Sequence, residues 1–148
     1  MNNDTRLAVS AHILALLSFD TSKYFTSELL ARSVNTNPVV IRRLIGQLKK
    51  AGFVTVRPGV GGSALVRAPE SITLLDVYDA VIPREKNPRP FFVHQEPSSR
   101  CFVGRNIHAA LAAPLAKVDE AMRGSLAATT IADIAACIRA RLEKEKAA

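Results

Sequence analysis

Two arginines, two lysines and three uncharged polar side chains fall within the fifteen residues from Thr36 to Lys50. These are Thr36, Asn37, Arg42, Arg43, Gln47, Lys49 and Lys50, with Val39 on the same side. Arg and Lys neutralise phosphates, and an Arg near a helix start also grips guanine through two hydrogen bonds. A plain solvated helix has the same composition, so the surroundings must decide. Downstream lies Pro58-Gly59-Val60-Gly61-Gly62-Ser63, with Arg57 and Arg67 at its base. A tip this small lets backbone N–H groups approach a phosphate closely. A thiol is the third reactive feature. Cys101 follows Arg100, precedes Arg105 and stands near His94. Placed at the first turn of a helix among cations, such a thiol is expected to favour thiolate.

The elements that position these groups follow from local rules. A helix is expected from Thr26, whose hydroxyl caps it and where Glu28 favours the positive helix end, with Leu29, Leu30 and Val34 inward. Asn35-Thr36-Asn37 interrupts the pattern, and Pro38 suits the first position of the next helix. From there Ile41, Leu44, Ile45 and Leu48 recur at helical spacing, and Gly52 caps the end. Phe53, Val54 and Val56 alternate as a strand, and Leu65 with Val66 forms the return strand. Helix, turn, basic helix, strand, glycine tip and strand make a winged helix-turn-helix, whose partner is double-stranded DNA. Arg42, Arg43 and Gln47 are expected to read or clamp the major groove, with Thr36 and Asn37 reaching phosphates or bases. Gly59, Gly61, Gly62 and Ser63, with Arg57, are expected along the minor groove or backbone.

Charge agrees with this placement. Residues 1–67 carry nine Lys/Arg against three acids, whereas residues 68–148 carry eleven against ten. The basic excess therefore sits in the half that holds the motif, as expected of a DNA-binding module. No apolar run reaches the length of a membrane span, and the start MNNDTRLAV lacks the marks of a signal peptide, so a cytoplasmic protein that avoids membranes is expected. Two distant cysteines form no disulfide framework. His12, His94 and His108 match no common metal-ligand spacing, and no nucleophile elbow, phosphate loop or dinucleotide fingerprint occurs. No catalytic residue and no metal is assigned. The competing reading is a winged helix that binds another protein.

The remaining helices read more simply. Thr5 to Ser18 is apolar nearly all round and is expected to be buried, His12 included. Leu74 to Val81 follows Thr73 or Ser71 as cap, with Asp76 and Asp79 facing out. Residues 83–100 hold four prolines and no helical period, so they form a loop or linker. Beyond it Val103, Ile107, Leu111, Leu115, Val118 and Met122 make a long apolar stripe that Pro114 should kink or split. That stripe exceeds what the chain's own core needs and is expected to pair with a second copy. A last helix, from about Thr130 to Glu145, places Cys137 on its apolar side as core.

Assembled, the chain resembles the Rrf2 family of bacterial transcriptional regulators. The resemblance rests on KKAGFV at 49–54, RPGVGGSALVRAPESITLLDVYDAV at 57–81 and the long helix after a cysteine. It implies a homodimer that binds a palindromic operator, usually as a repressor. It also implies, for many members, an iron–sulfur cluster on three cysteines before the long helix. Here only Cys101 remains, matching the last of the three, while Gln95, Glu96, Pro97, Ser98 and Ser99 offer no thiol. No iron–sulfur cluster and no other cofactor is expected, and sensing falls to Cys101, with His94, or to a small ligand. The fold class expected is mainly α with a small β-hairpin wing. Residues 1–82 form the DNA-binding domain, 83–100 the loop, and 101–148 the dimerisation helices.

Overall fold

A computed structural model describes residues 5–59, 61–82, 91 and 93–148. Helices α1 (Arg6–Phe19), α2 (Ser27–Val34) and α3 (Pro38–Lys50) precede a two-stranded antiparallel hairpin of β1 (Val54–Arg57) and β2 (Gly62–Leu65). A 3₁₀ turn (Pro69–Ser71) leads to α4 (Leu74–Val81), then to α5 (Phe102–Ala127) and α6 (Ile131–Ala147). The core lies where α1, α3 and α4 meet, with Ile13, Leu14 and Leu17 against Ile41, Leu44, Leu48, Val77 and Val81. Ile131 at the start of α6 is also buried in it.

Each part of the helix-turn-helix is fixed locally. Thr26 Oγ1 accepts the Leu29 N–H at 3.2 Å and caps α2. Asn35 ends that helix in the left-handed region, at φ 60°, which a short amide side chain tolerates. Two residues later Asn37 Oδ1 accepts the Val39 N–H at 2.8 Å, and Pro38 opens α3 without wasting a donor. At the far end the Phe53 N–H reaches back to Leu48 O at 3.0 Å, over Gly52 at φ 81°. That closure turns the chain directly into β1. The hairpin register runs from Val54↔Leu65 to Arg57↔Gly62. Phe25 adds a rung: its N–H and C=O each bond Ser63 at 2.8 Å, so the chain before α2 pairs with the wing.

Several expectations change. α1 is buried along one side only; Ala8, His12 and Phe19 are exposed, because α6 leaves an open groove beside it. His12 Nε2 lies 2.9 Å from Ser33 Oγ on α2. Val66 lies outside β2 and is exposed. Asp76 and Asp79 do not simply face out. Asp76 completes a capping box with Thr73, its carboxylate accepting both the Thr73 N–H and hydroxyl at 2.9 Å. Asp79 accepts from Arg123 at 3.0 and 3.2 Å, which docks α4 on α5. Cys137 is exposed, since α6 buries only Ile131 and Ala135, both in its first two turns.

α5 runs unbroken through Pro114 for 26 residues, roughly 39 Å at the usual rise. It has no buried residue. Val103 and Val118 are exposed and Ile107, Leu111, Leu115 and Met122 only half-buried, so an apolar stripe runs along its length. α6 is tied elsewhere: Ile131 N–H bonds Ile72 O at 2.9 Å, and Leu74 N–H bonds Thr129 O at 2.8 Å.

Candidate nucleic-acid interface

The helical period sorts the side chains of α3. Ile41, Leu44, Ile45 and Leu48 are buried, and at about 100° per residue the line opposite them holds Val39, Arg43, Gly46 and Lys50. All four are exposed, Val39 at 64%. Arg42 and Lys49 flank this line on the side of the wing, and both are exposed. Gln47 flanks the other side. It is half-buried beside Asp79 and Ala80 of α4, and its Oε1 is buried with no hydrogen-bond partner among the described residues. Gln47 thus supports the α3–α4 packing instead of standing on the outward line. Thr36 is half-buried in the turn and Asn37 is engaged as the cap.

The wing differs from its sequence reading in two residues. Ser63 is 2% exposed and belongs to β2, where it bonds Phe25. Gly62 pairs with Arg57, has φ 79°, and a Cβ there would lie 2.5 Å from Phe25 O. Both anchor the wing to the chain before α2, and neither forms its tip. Gly59 and Gly61 remain at the tip. A Cβ on Gly61 would strike Arg57 Cβ, so the turn closes only with glycine. Arg57 stacks on Tyr24, 3.8 Å from the ring centroid. That contact holds the guanidinium beside α2 and keeps its charge on the surface. Arg67 is drawn away: it bonds Ser71 Oγ and O at 3.2 and 2.9 Å and lies over Phe53.

Between α2, α3 and the wing lies a notch of about 450 Å³ lined by Glu28, Arg42, Gly46, Lys49, Arg57 and Gly59 among others. Among the described residues that line it the one acid is Glu28. Arg42 Nη2 donates to Glu28 Oε1 at 2.6 Å, with both side chains more than half exposed. The Glu28 carboxyl is held below its ordinary range, first by its own backbone N–H and further by Arg42, which together outweigh the opposing desolvation. It is therefore ionised at neutral pH. Neither Glu28 nor Tyr24 was legible as part of this surface, because each meets its arginine only after the chain folds.

The thiol is placed apart from this surface. Cys101 is the N-cap residue of α5 and is exposed. The chain before it folds onto the helix: Ser98 O lies where a Cβ on Gly104 would be. His94 and His108 meet edge to face at 5.6 Å, and His108 Nε2 lies 2.8 Å from His94 O.

A helix-turn-helix with its second helix bare and basic, flanked by a glycine-tipped hairpin, defines a winged-helix DNA-binding protein. Residues 3–137 match the model of the Rrf2 family, described as iron-dependent transcriptional regulators. The chain is 45% identical over 131 residues to YwnA of Bacillus subtilis (strain 168), which carries the provisional name of HTH-type transcriptional regulator. That alignment covers 88% of this chain and 95% of YwnA. A crystal structure provisionally described as a DNA-binding protein is 43% identical, with a TM-score of 0.68 over 87% of this chain and 97% of that one. Another, provisionally a transcriptional regulator from Lactobacillus plantarum, is 26% identical with a TM-score of 0.76, covering 96% and 97%. The chain belongs to the Rrf2 family of transcriptional regulators, which are DNA-binding proteins and not enzymes.

The family description raises iron. A protein-held cluster is bound by about four thiolates or their histidine substitutes. This chain has two cysteines, each exposed and on a different helix. Among the described residues no group of three or more His, Cys, Asp and Glu could hold a metal. Among the described residues the side chains present do not match that ligand set.

Proposed function

We propose that this regulator acts in the cytoplasm as a cluster-free homodimer that represses transcription from a palindromic operator. The observation that carries the reading is the outward line of α3 beside the wing, where Arg43 and Lys50 are exposed and without a partner among the described residues. We assign Val39, Arg42, Arg43 and Lys50 to the major groove, with Thr36 and Asn37 at the helix start. Arg57, Gly59 and Gly61 follow the backbone or minor groove, while Gln47, Gly62 and Ser63 hold the reading elements in place. By function we divide the chain into 1–82 for DNA binding, 83–100 as the loop and 101–148 for dimerisation, with the start of α6 also packing on the first segment. The apolar stripe of α5, with Val103, Ile107, Leu111, Val118 and Met122, pairs with its counterpart in a second copy. Two-fold pairing presents two recognition helices to half-sites about 34 Å apart. Cys101 answers an oxidant: peroxide transfers one oxygen to its Sγ and leaves as water. A small ligand is the other signal this architecture accommodates.

The test is binding of the purified protein to its own promoter region across a salt series, reduced and then treated with mild peroxide. A dimeric complex that prefers the promoter, and whose log affinity falls roughly 0.9 per phosphate contact with log salt, supports the reading. Binding with no salt dependence, or no DNA binding at all, favours the winged helix as a protein-binding module. Promoter binding that survives peroxide in the parent protein removes Cys101 from sensing.

A further inference from the structure

Arg42 stands near the start of the recognition helix, yet its charge is already half spoken for. Its Nη2 donates to Glu28 at 2.6 Å, across fourteen residues of chain. Its Nε and Nη1 make no hydrogen bond among the described residues. Glu28 is held in turn, since it follows directly on the capped start of α2, where Thr26 accepts the Leu29 N–H. A free arginine on a DNA-facing surface takes whichever phosphate is nearest, because that contact has no sequence requirement. An arginine fixed by a carboxylate behaves differently. Its net charge is largely cancelled for phosphate binding, while its remaining donors keep the planar fork that a guanine edge accepts.

We propose that Glu28 is a positioning residue that holds Arg42 for a guanine edge and withholds it from phosphates, so that the pair sets sequence discrimination. This rests on the DNA-binding reading above. The notch explains why the arrangement falls here. Lys49 and Arg57 line the same space, and among the described residues no acid other than Glu28 does. The lysine and Arg57 supply sequence-blind attraction to the backbone. Arg42 is the cation among them with a carboxylate partner, and so the one removed from that pool.

The experiment compares the parent protein with Glu28→Gln on promoter DNA and on scrambled DNA of equal length, from low to moderate salt. Glutamine keeps the shape and removes the charge. Scrambled DNA should bind Glu28→Gln about fivefold more tightly per half-site, the upper range for losing one exposed ion pair. Its salt slope should steepen by about 0.9 per half-site as Arg42 takes a phosphate. Promoter affinity should not rise in step, so the promoter-to-scrambled ratio falls. The same exchange made in Arg42→Ala should leave the ratio unchanged, although overall affinity still rises with the lost negative charge. A ratio that is constant in Glu28→Gln, or that falls equally in the Arg42→Ala background, overturns the proposal. A parent protein that never prefers the promoter sinks the DNA-binding reading itself, and the two failures are thereby distinct.

Discussion

Gly46 gives the sharpest separation of stability from function. It sits mid-helix on the outward line of α3, and a Cβ there meets nothing within 4 Å. Glycine inside a helix costs about 0.5–1 kcal/mol relative to alanine through the extra freedom of the unfolded chain. No contact within the described fold requires its missing side chain. Gly46→Ala should therefore stabilise the protein by about 0.5–1 kcal/mol. For a chain of this size that raises the melting temperature by roughly 1–4 °C, measured by circular dichroism at fixed protein concentration. If the bare position is there because a DNA strand lies against it, the added methyl overpacks that contact by about 1–3 kcal/mol. Promoter affinity, followed by fluorescence anisotropy, should then drop about 5- to 150-fold per half-site. Stabilisation with full affinity would mean that DNA does not touch the centre of α3. Loss of stability would refute the open-space argument directly.

Other residues make independent tests. Gly62→Ala forces a side chain into φ 79° and against Phe25 O, so urea unfolding should show a loss on the order of 2–3 kcal/mol; a neutral result would mean that the wing is not seated on the chain before α2. The Asp133 carboxyl accepts the backbone N–H and then the hydroxyl of Thr130, and is held below its ordinary 3.8. A depressed folded value gives stability that is present above that figure and lost as pH falls through the folded value. Asp133→Asn should thus be less stable at neutral pH and show a smaller loss between pH 5 and pH 3 in parallel melts. Arg123→Met removes the partner of Asp79; partly exposed, the pair should be worth on the order of 1 kcal/mol. Asp79→Asn in that background should add little in a double-mutant cycle.

The helix-turn-helix was readable because its signals are local. Asn37 and Pro38 start α3, Gly52 ends it, and the apolar spacing of Ile41 to Leu48 orients it, all within one stretch of chain. The wing's position was not readable in the same way. Ser63 looks like one more small tip residue until its backbone pairs with Phe25, 38 positions earlier. Gln47 has the chemistry of a base reader, and only the approach of α4 leaves it half-buried off the outward line of α3. Arg42 and Glu28, and Arg57 and Tyr24, are ordinary charged and aromatic residues in sequence; their pairing is a product of the fold. Cys137 would be core only if the apolar stripe of α6 were covered to its end, whereas only its first two turns meet the core. Periodicity reports which face is apolar, and it does not report what covers that face.

The bonds that position the reading surface lie away from Cys101, and that separation constrains how a signal at the thiol would reach DNA. Ser63 joins the wing to Phe25, Thr26 caps α2, and Glu28 holds Arg42, so wing and recognition helix are positioned by one continuous set of bonds. Cys101 touches none of them. It begins α5 and lies roughly 33 Å along that helix from Arg123, the residue that bonds α4. On the reading proposed above, chemistry at Cys101 leaves the reading surface of each subunit as it is, and its route to DNA is the proposed pairing of two α5 helices. Oxidation should then weaken binding to a full palindrome while affinity for an isolated half-site stays constant. Peroxide titration against both DNAs, with Cys101→Ser alongside, measures this. Equal weakening on the half-site would place the effect inside the winged helix and refute a route through α5.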